Sequence, residues 1–493
     1  MIYLLEGPPV GRPSSGGGSI RGLWRFTTDK RKTEEVGTEL DGFVVSADAS
    51  KALIAQHNSL SIIATDDLKP GSDTGKPVNL GNMHANIDLR AEWRQMFTET
   101  WRIQRDFLYD PNTHGLSIPK VEAKYRPYLD ALGSRDEFSY LTKEMTGEIS
   151  IGHMFISGPY HHDDSPTTGL LGADYTVEHD RYKITKILGG QNWTPGLASP
   201  LTLPGVYVHE GAYILAVNGK EVHATDNLYS FFDGTAGQQT LLRIAYNADG
   251  KDAKDVTVVP VGDEDGLRNI DWIEGNLRKV NELSGGKVAY VYMPNTGGAG
   301  YTNFNRYFYS QLNKQALVLD ERWNEGGFIA DYIVDVLRRQ PLSVAQERDG
   351  KPQVDSVGAI FGPKAMLINQ NSGSGGDAMP WYFRKAGIGK LVGTRTWGGL
   401  VGIGGYPPLL DGGGVTAPRF LIYGLTGSFE VENHGIIPDL PVEDTPKDFM
   451  AGHDLQLETG VKLVLDELKA NPLPAYPKPT YPNYHQHDGL GKN

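Results

Sequence analysis

Apolar and polar positions alternate through the first 85 or so residues, in LWRFTTDK, GFVVSADASKALIAQ and LSIIATDD, each run bounded by turn residues. A period of two puts every second side chain on one face, so these runs predict short strands and a small β-sheet. From Asp88 the period changes. Trp93, Met96, Phe97, Trp101, Gln104 and Leu108 recur at steps of three and four, one face of a helix, with Asp88 as its N-cap and DPNTHG as its stop. A second helical stretch is expected over 118–147, and TGEISIGHMFISG reads as a turn or strand edge. Residues 165–262 return to strand spacing: YTVEHDRYKITKIL as two strands across a turn, and GVYVHEGAYILAVNGKEV with a hairpin at Asn218 and Gly219. Thereafter strands and helices alternate: KVAYVYMPN, a helix near 301–314, ALVLDERWN, a helix near 328–339, AMLINQ, a helix from about 375, then KLVGTRT. Such alternation implies a sheet with crossover helices, at least partly parallel. Leu457, Val461, Val464, Leu465 and Leu468 form the apolar stripe of a last helix docked on the core.

Composition narrows the function classes. The 493 residues exceed one ordinary core, so two to four domains are expected. The chain has no cysteine, which excludes disulfides, thiolate metal sites and a cysteine nucleophile. Its formal charge of −13 is spread along the chain with no basic block beside exposed aromatics, so nucleic acid is not an expected partner. No apolar run approaches the roughly 20 residues of a membrane helix, and MIYLLEGPPVGR lacks the basic start and apolar stretch of a leader. The expected compartment is the cytoplasm, or the periplasm were the chain part of a longer precursor. The 61 glycines and 30 prolines punctuate apolar segments, which fits turn-rich β structure; GRPSSGGGS and the last residues, 476–493, read as a loose loop and a tail.

The chemistry concentrates in two glycine-rich turns that each follow a strand and open a helix. In INQNSGSGGDAM, two serines, Ser372 and Ser374, stand among glycines just ahead of a helix beginning near Gly375. A helix mouth offers free N–H groups and the positive end of its dipole, which suits a serine that attacks a carbonyl and an oxyanion that needs donors. Ser and Gly are also the ordinary residues of a tight turn, and Asp377 in the first turn would complement the dipole in either case. In ALVLDERWNEGGF, Gly326 and Gly327 could bring a second backbone N–H beside the first, because only a residue without Cβ allows so close an approach.

LDERWNEGG followed by INQNSGSGGD, GKLVGTRTWGGLVGI and FEVENHGIIPD is similar, in order and spacing, to the core of the tricorn proteases within the C-terminal processing (S41) serine peptidases. RAEWRQMFTETWRIQRDFLYDP resembles their helical C1 segment, the stretch from GLLGADY to LAVNGKEV their PDZ unit, and FVVSADASKALIAQHNSLSIIATDD one blade of a TolB-like β-propeller. The resemblance implies a multidomain α+β fold: a partial β-propeller-like segment (1–85), a helical C1 subdomain (86–164), a PDZ-like β domain (165–262) and an α/β C2 catalytic domain with a crotonase-like ββα core (263–475). It makes Ser374 the nucleophile, His153 the general base, the N–H groups of Gly327 and Gly375 the oxyanion hole, and Glu432 the carboxylate that serves the histidine. The family's serine before the histidine is here Gly152, its frequent acidic residue after the nucleophile is Gly375, and its acidic selector of basic side chains falls on Ala345. A preference for Lys or Arg is therefore not expected. A homo-oligomer, trimer or hexamer, is implied by resemblance alone.

Three other readings follow from the same residues. An α/β-hydrolase needs G-x-S-x-G followed by acid and then histidine, whereas SGSGG has Ser372 in the first glycine's place and His434 only two positions from Glu432. Metal ligation by YHHDD (160–164) or HQHD (485–488) lacks a ligand-bearing helix, and both stretches read as polar loops. A peptide-binding protein that keeps the fold and cleaves nothing is the alternative of a different class. The expected function is that of a serine endopeptidase acting on oligopeptides or unfolded polypeptide, with no cofactor and no metal.

Overall fold

The computed structural model describes residues 2–6, 20–56, 59–69, 75–84, 86–159, 167–194, 196–355 and 358–491. The YHHDD stretch lies outside them, as does GRPSSGGGS. The chain divides into two compact units, one of residues 1–159 and 291–493, the other of residues 160–290.

In the first unit, the alternating N-terminal runs form two antiparallel sheets. One has three strands, Ile2–Glu6, Ile20–Thr27 and Lys32–Leu40; the other is a meander of Gly42–Val45, Lys51–Gln56, Ser59–Ala64 and Lys76–Pro77. Alternation works as expected within them: Ala52 and Ile54 point inward, joining Leu23, Val36, Leu40, Ile63 and Leu68 in one small core. A four-stranded antiparallel meander is the unit from which a propeller blade is built.

The Leu89–Phe107 helix begins at Asp88, whose carboxylate accepts the Arg90 and Ala91 N–H groups at 3.1 Å each. Trp93, Met96, Phe97 and Trp101 bury its apolar face. The helical stretch over 118–147 proves to be broken: Ile118–Tyr125, a short 3-10 turn, then Arg135–Gly147. Pro127 lies in the intervening turn and Gly133 just beyond it, and Ser134 caps the new helix through the Glu137 N–H at 3.2 Å. These helices close a core with Leu409, Val415 and Ala417, so the 405–418 loop is part of the helical body.

The remaining sheet of this unit has five strands in the order Val288–Tyr292, Ala316–Asp320, Lys364–Ile368, Lys390–Gly393 and Leu440–Pro441. The last three pairings are parallel. The strands Ala316–Asp320 and Lys364–Ile368 are buried at every position, as continuous apolar runs covered on both faces must be. Their carboxyl ends deliver the two glycine-rich turns side by side. The helices they feed are Ala330–Leu337 and Gly375–Lys385, and the Leu455–Ala470 helix docks on the sheet through Leu457, Val461, Val464 and Leu468.

The second unit is a β structure with strand order Lys254–Val258, Thr240–Ala245, Tyr213–Val217, Arg181–Ile187 and Ala173–Glu178, all antiparallel. The hairpin from Tyr213–Val217 to Lys220–Glu221 turns at Asn218 (φ 48°) and Gly219 (φ 78°), the two positive φ values a tight hairpin turn requires. Its longest element is the Asp265–Leu283 helix, which sequence reading had not singled out although Leu267, Ile273, Asn276 and Val280 fall along one face. Among the described residues no helix is long and apolar enough to cross a membrane.

Candidate active site

Both glycine-rich turns and the TGEISIGHMFISG segment open onto one cavity of about 740 Å³ in the first unit. Its lining includes Ser374, Gly375, Gly327, His153, Trp397 and Tyr382, with Val401, Ile403, Phe420 and Ile422 as apolar wall.

Of the two serines, Ser372 is fully buried and its hydroxyl donates to the Glu321 carbonyl at 2.9 Å, a loop-building role. Ser374 faces the cavity at φ 58°, ψ −114°, a left-handed backbone that a side chain adopts only under constraint. The constraint is Asp377. Its buried carboxylate accepts from Ser374 N–H (2.9 Å), Thr396 Oγ1 (2.5 Å), Gly398 N–H (2.8 Å) and Gly399 N–H (3.0 Å). One side chain thereby ties the serine turn to the 396–399 loop. Burial raises the Asp377 carboxyl above the ordinary aspartate range, and the four donors oppose that rise.

Gly375 and Gly327 abut. A Cβ on Gly375 would stand 1.9 Å from Thr296 Oγ1 and 2.7 Å from Gly327 N, so no other residue fits without moving the turn. Among the described residues, no acceptor engages the Gly375 or the Gly327 N–H. Gly326 (φ 94°) lets the first turn close on the second: a Cβ there would lie 2.7 Å from Ser374 Cβ.

His153 is buried, at φ 61°, in a segment held from two sides. Thr416 Oγ1 donates to the His153 carbonyl and accepts the Phe155 N–H (2.8 Å), while Asn433 Nδ2 donates to the Ser150 carbonyl (2.9 Å). Its imidazole packs against Trp397, ring centroids 5.2 Å apart, and against Phe155 at 5.7 Å. Trp397 in turn covers Gly373, where a Cβ would come within 2.7 Å of the indole. Burial lowers the imidazole's proton affinity below the ordinary histidine value. Among the described residues Nδ1 has no hydrogen-bond partner, and the ring is not hydrogen-bonded to Ser374.

Glu432 does not bond the imidazole. Its carboxylate accepts the Gly152 N–H at 2.7 Å and the Leu400 N–H at 2.5 Å, so it holds the main chain immediately before the histidine. Burial raises its carboxyl above the ordinary range, opposed first by the Gly152 N–H and then by that of Leu400. Room beside Gly152 is short: a Cβ would lie 3.0 Å from Gly399 Cα and 3.3 Å from Glu432 Oε1. His434, the other histidine near Glu432, turns Nδ1 to the Glu432 carbonyl at 2.8 Å rather than to a carboxylate.

The chain matches the Tricorn protease C1 domain over residues 89–147, the Tricorn protease PDZ domain over 169–263 and Peptidase family S41 over 287–442. It is a tricorn-like S41 peptidase family member. Tricorn protease homolog 1 of Streptomyces coelicolor is 33% identical over 454 residues, covering 91% of this chain and 42% of that protein. The tricorn protease of Thermoplasma acidophilum is 29% identical over 448 residues, covering 91% of this chain and 41% of that protein. A crystal structure of the tricorn protease superposes with a TM-score of 0.82 at 27% identity, over 95% of this chain and 45% of that one. The chain thus spans less than half the length of these tricorn relatives.

Trp397 and Thr416, which the sequence does not single out, do much of the positioning, and Asp377, expected only to complement the helix dipole, ties the serine turn to the 396–399 loop. The WGG of GKLVGTRTWGGLVGI was the available signal for Trp397, because glycines flanking an indole mark a place where backbone lies flat against a ring.

Proposed function

We propose that this chain is a serine endopeptidase that hydrolyses oligopeptides or unfolded polypeptide, with Ser374 as nucleophile and His153 as general base. The observation that carries the reading is the pair of unengaged N–H groups, Gly327 and Gly375, packed against each other beside a conformationally constrained serine. Ser374 Oγ attacks the scissile carbonyl and His153 takes its proton. The carbonyl oxygen, now negative, accepts from the two amides, and His153 returns the proton to the departing amine. Water then repeats the sequence on the acyl-enzyme. Glu432 positions the histidine through Gly152 and keeps a negative charge near the imidazolium that forms.

An extended peptide suits a cavity with apolar walls at Val401, Ile403, Phe420 and Ile422. We further propose the domain limits 1–85, 86–164, 165–262, 263–475 and 476–493, a homo-oligomeric assembly, and a PDZ-like unit that guides substrate. Mass spectrometry of products from a mixed peptide library, beside Ser374→Ala, tests the reading: new termini from the wild type and none from the variant are expected. The second reading, a binding protein that cleaves nothing, draws on the unpartnered Nδ1 of His153 and the lack of a bond from it to Ser374. An intact library that nevertheless binds would establish it.

A further inference from the structure

We propose that Glu321 is a positioning residue for the oxyanion donors: a neutral, buried carboxylic acid that, through Asn324, holds the Gly326–Gly327 loop against the serine turn. The inference rests on the peptidase reading for its consequence but not for its chemistry. Glu321 follows the Ala316–Asp320 strand and is fully buried. One oxygen accepts from Asn324 Nδ2 at 3.3 Å; the other has no partner among the described residues. Asn324, itself fully buried, is the bridge between the two turns. Its Oδ1 accepts the Gly326 N–H at 2.9 Å, its carbonyl accepts the Gly373 N–H at 3.0 Å, and a Cβ on Gly376 would stand 2.7 Å from that carbonyl oxygen. With Oδ1 turned to Gly326, the Asn324 Nδ2 points at Glu321, which supplies its acceptor and holds the amide in that orientation.

The donor distribution assigns the proton. The charged groups facing Glu321 are Asp377, from the Gly375–Lys385 helix, and Asp320, from its own strand. Asp377 has four donors and Asp320 has the Arg322 guanidinium at 2.7 Å, whereas Glu321 has one long hydrogen bond from a neutral amide. An ionised Glu321 would leave an unpaired charge beside two others in a dry interior; a protonated one leaves a single hydroxyl unpaired, the smaller penalty. Burial first, and Asp377 next, raise its proton affinity well above the ordinary glutamate value. Ionisation at high pH would set two carboxylates against each other across the loop that presents Gly327, so kcat should fall on the alkaline side while KM stays constant.

The test is infrared difference spectroscopy of the full chain, with and without carboxyl-13C glutamate, on wild type and Glu321→Gln. At neutral pH a protonated-carboxyl band that shifts with the glutamate label and vanishes in the variant supports the assignment; absence of that band from the wild type overturns it. In peptide hydrolysis, Glu321→Gln should lose the alkaline fall in kcat seen in the wild type, and an identical fall in both would equally overturn the proposal. If Glu321→Gln fails to fold, Glu321→Met, apolar and close in volume, carries the same spectral comparison. A band present in a wild type that hydrolyses nothing would refute the peptidase reading and leave the assignment of the proton standing.

Discussion

His153 makes the clearest pH prediction. Desolvation disfavours the imidazolium, so the neutral, base-competent ring persists to lower pH than in solution. The acid limb of kcat/KM should therefore have its midpoint below the ordinary histidine value of about 6.5; a rate profile across pH 4–8 checks it, and a midpoint above that value contradicts it. Glu432 belongs to the same scale. Glu432→Gln replaces one acceptor oxygen by an NH2 facing the N–H of Gly152 or Leu400, and two donors cannot share that contact. Loss of a charge-assisted hydrogen bond at about 1.5–3 kcal/mol predicts a roughly 10- to 100-fold fall in kcat, measured beside KM. From sequence the glutamate was found only by resemblance. Its partner could not be read, because Gly152 and Glu432 lie 280 positions apart and nothing local couples them.

Turns, more than helices or strands, decide the site at the scale of elements. The Gly375–Lys385 helix starts where its glycines predicted, yet its first turn does more than complement a dipole. Asp377 reaches out to Thr396, Gly398 and Gly399, a return of the chain that no periodicity reveals. Asp377→Ala should cost several kcal/mol of stability, since four donors lose one buried acceptor, and should lower kcat with it. Denaturant midpoints at unchanged m-value measure the first effect. Gly375→Ala isolates the oxyanion side: its methyl would overlap Thr296 Oγ1, displacing the donor, so kcat should fall on the order of a hundredfold with little change in KM. The strands and the Leu89–Phe107 helix were legible because burial on one face imposes a period. The Asp265–Leu283 helix is not legible from periodicity because Gly266 and Gly275 interrupt its pattern, and Pro127 breaks the helix expected over 118–147.

Over the whole molecule, the strand end that leads into the Gly326–Gly327 loop is anchored to the C-terminal helix by a buried ion network. Arg322, fully buried, pairs with Asp320 at 2.7 Å and with Asp454 at 2.9 Å, and Asp454 also caps the Leu455–Ala470 helix through the Leu457 N–H. Asp454→Ala uncaps the helix and strands part of a buried guanidinium's pairing, at a cost of about 3–5 kcal/mol, visible as a lower urea midpoint. Sequence alone exposed the LDERWNEGG motif but not this anchoring, which joins residues 132 positions apart. All five proposed site residues lie within one compact unit, so the chemistry draws on a single packed body. The most direct measurement of the central claim is covalent labelling with an organophosphorus serine probe, located by peptide mapping. Our account predicts one adduct, on Ser374, absent from Ser374→Ala and slowed on the order of a thousandfold in His153→Ala. Labelling that falls elsewhere, or that proceeds equally without His153, would contradict it.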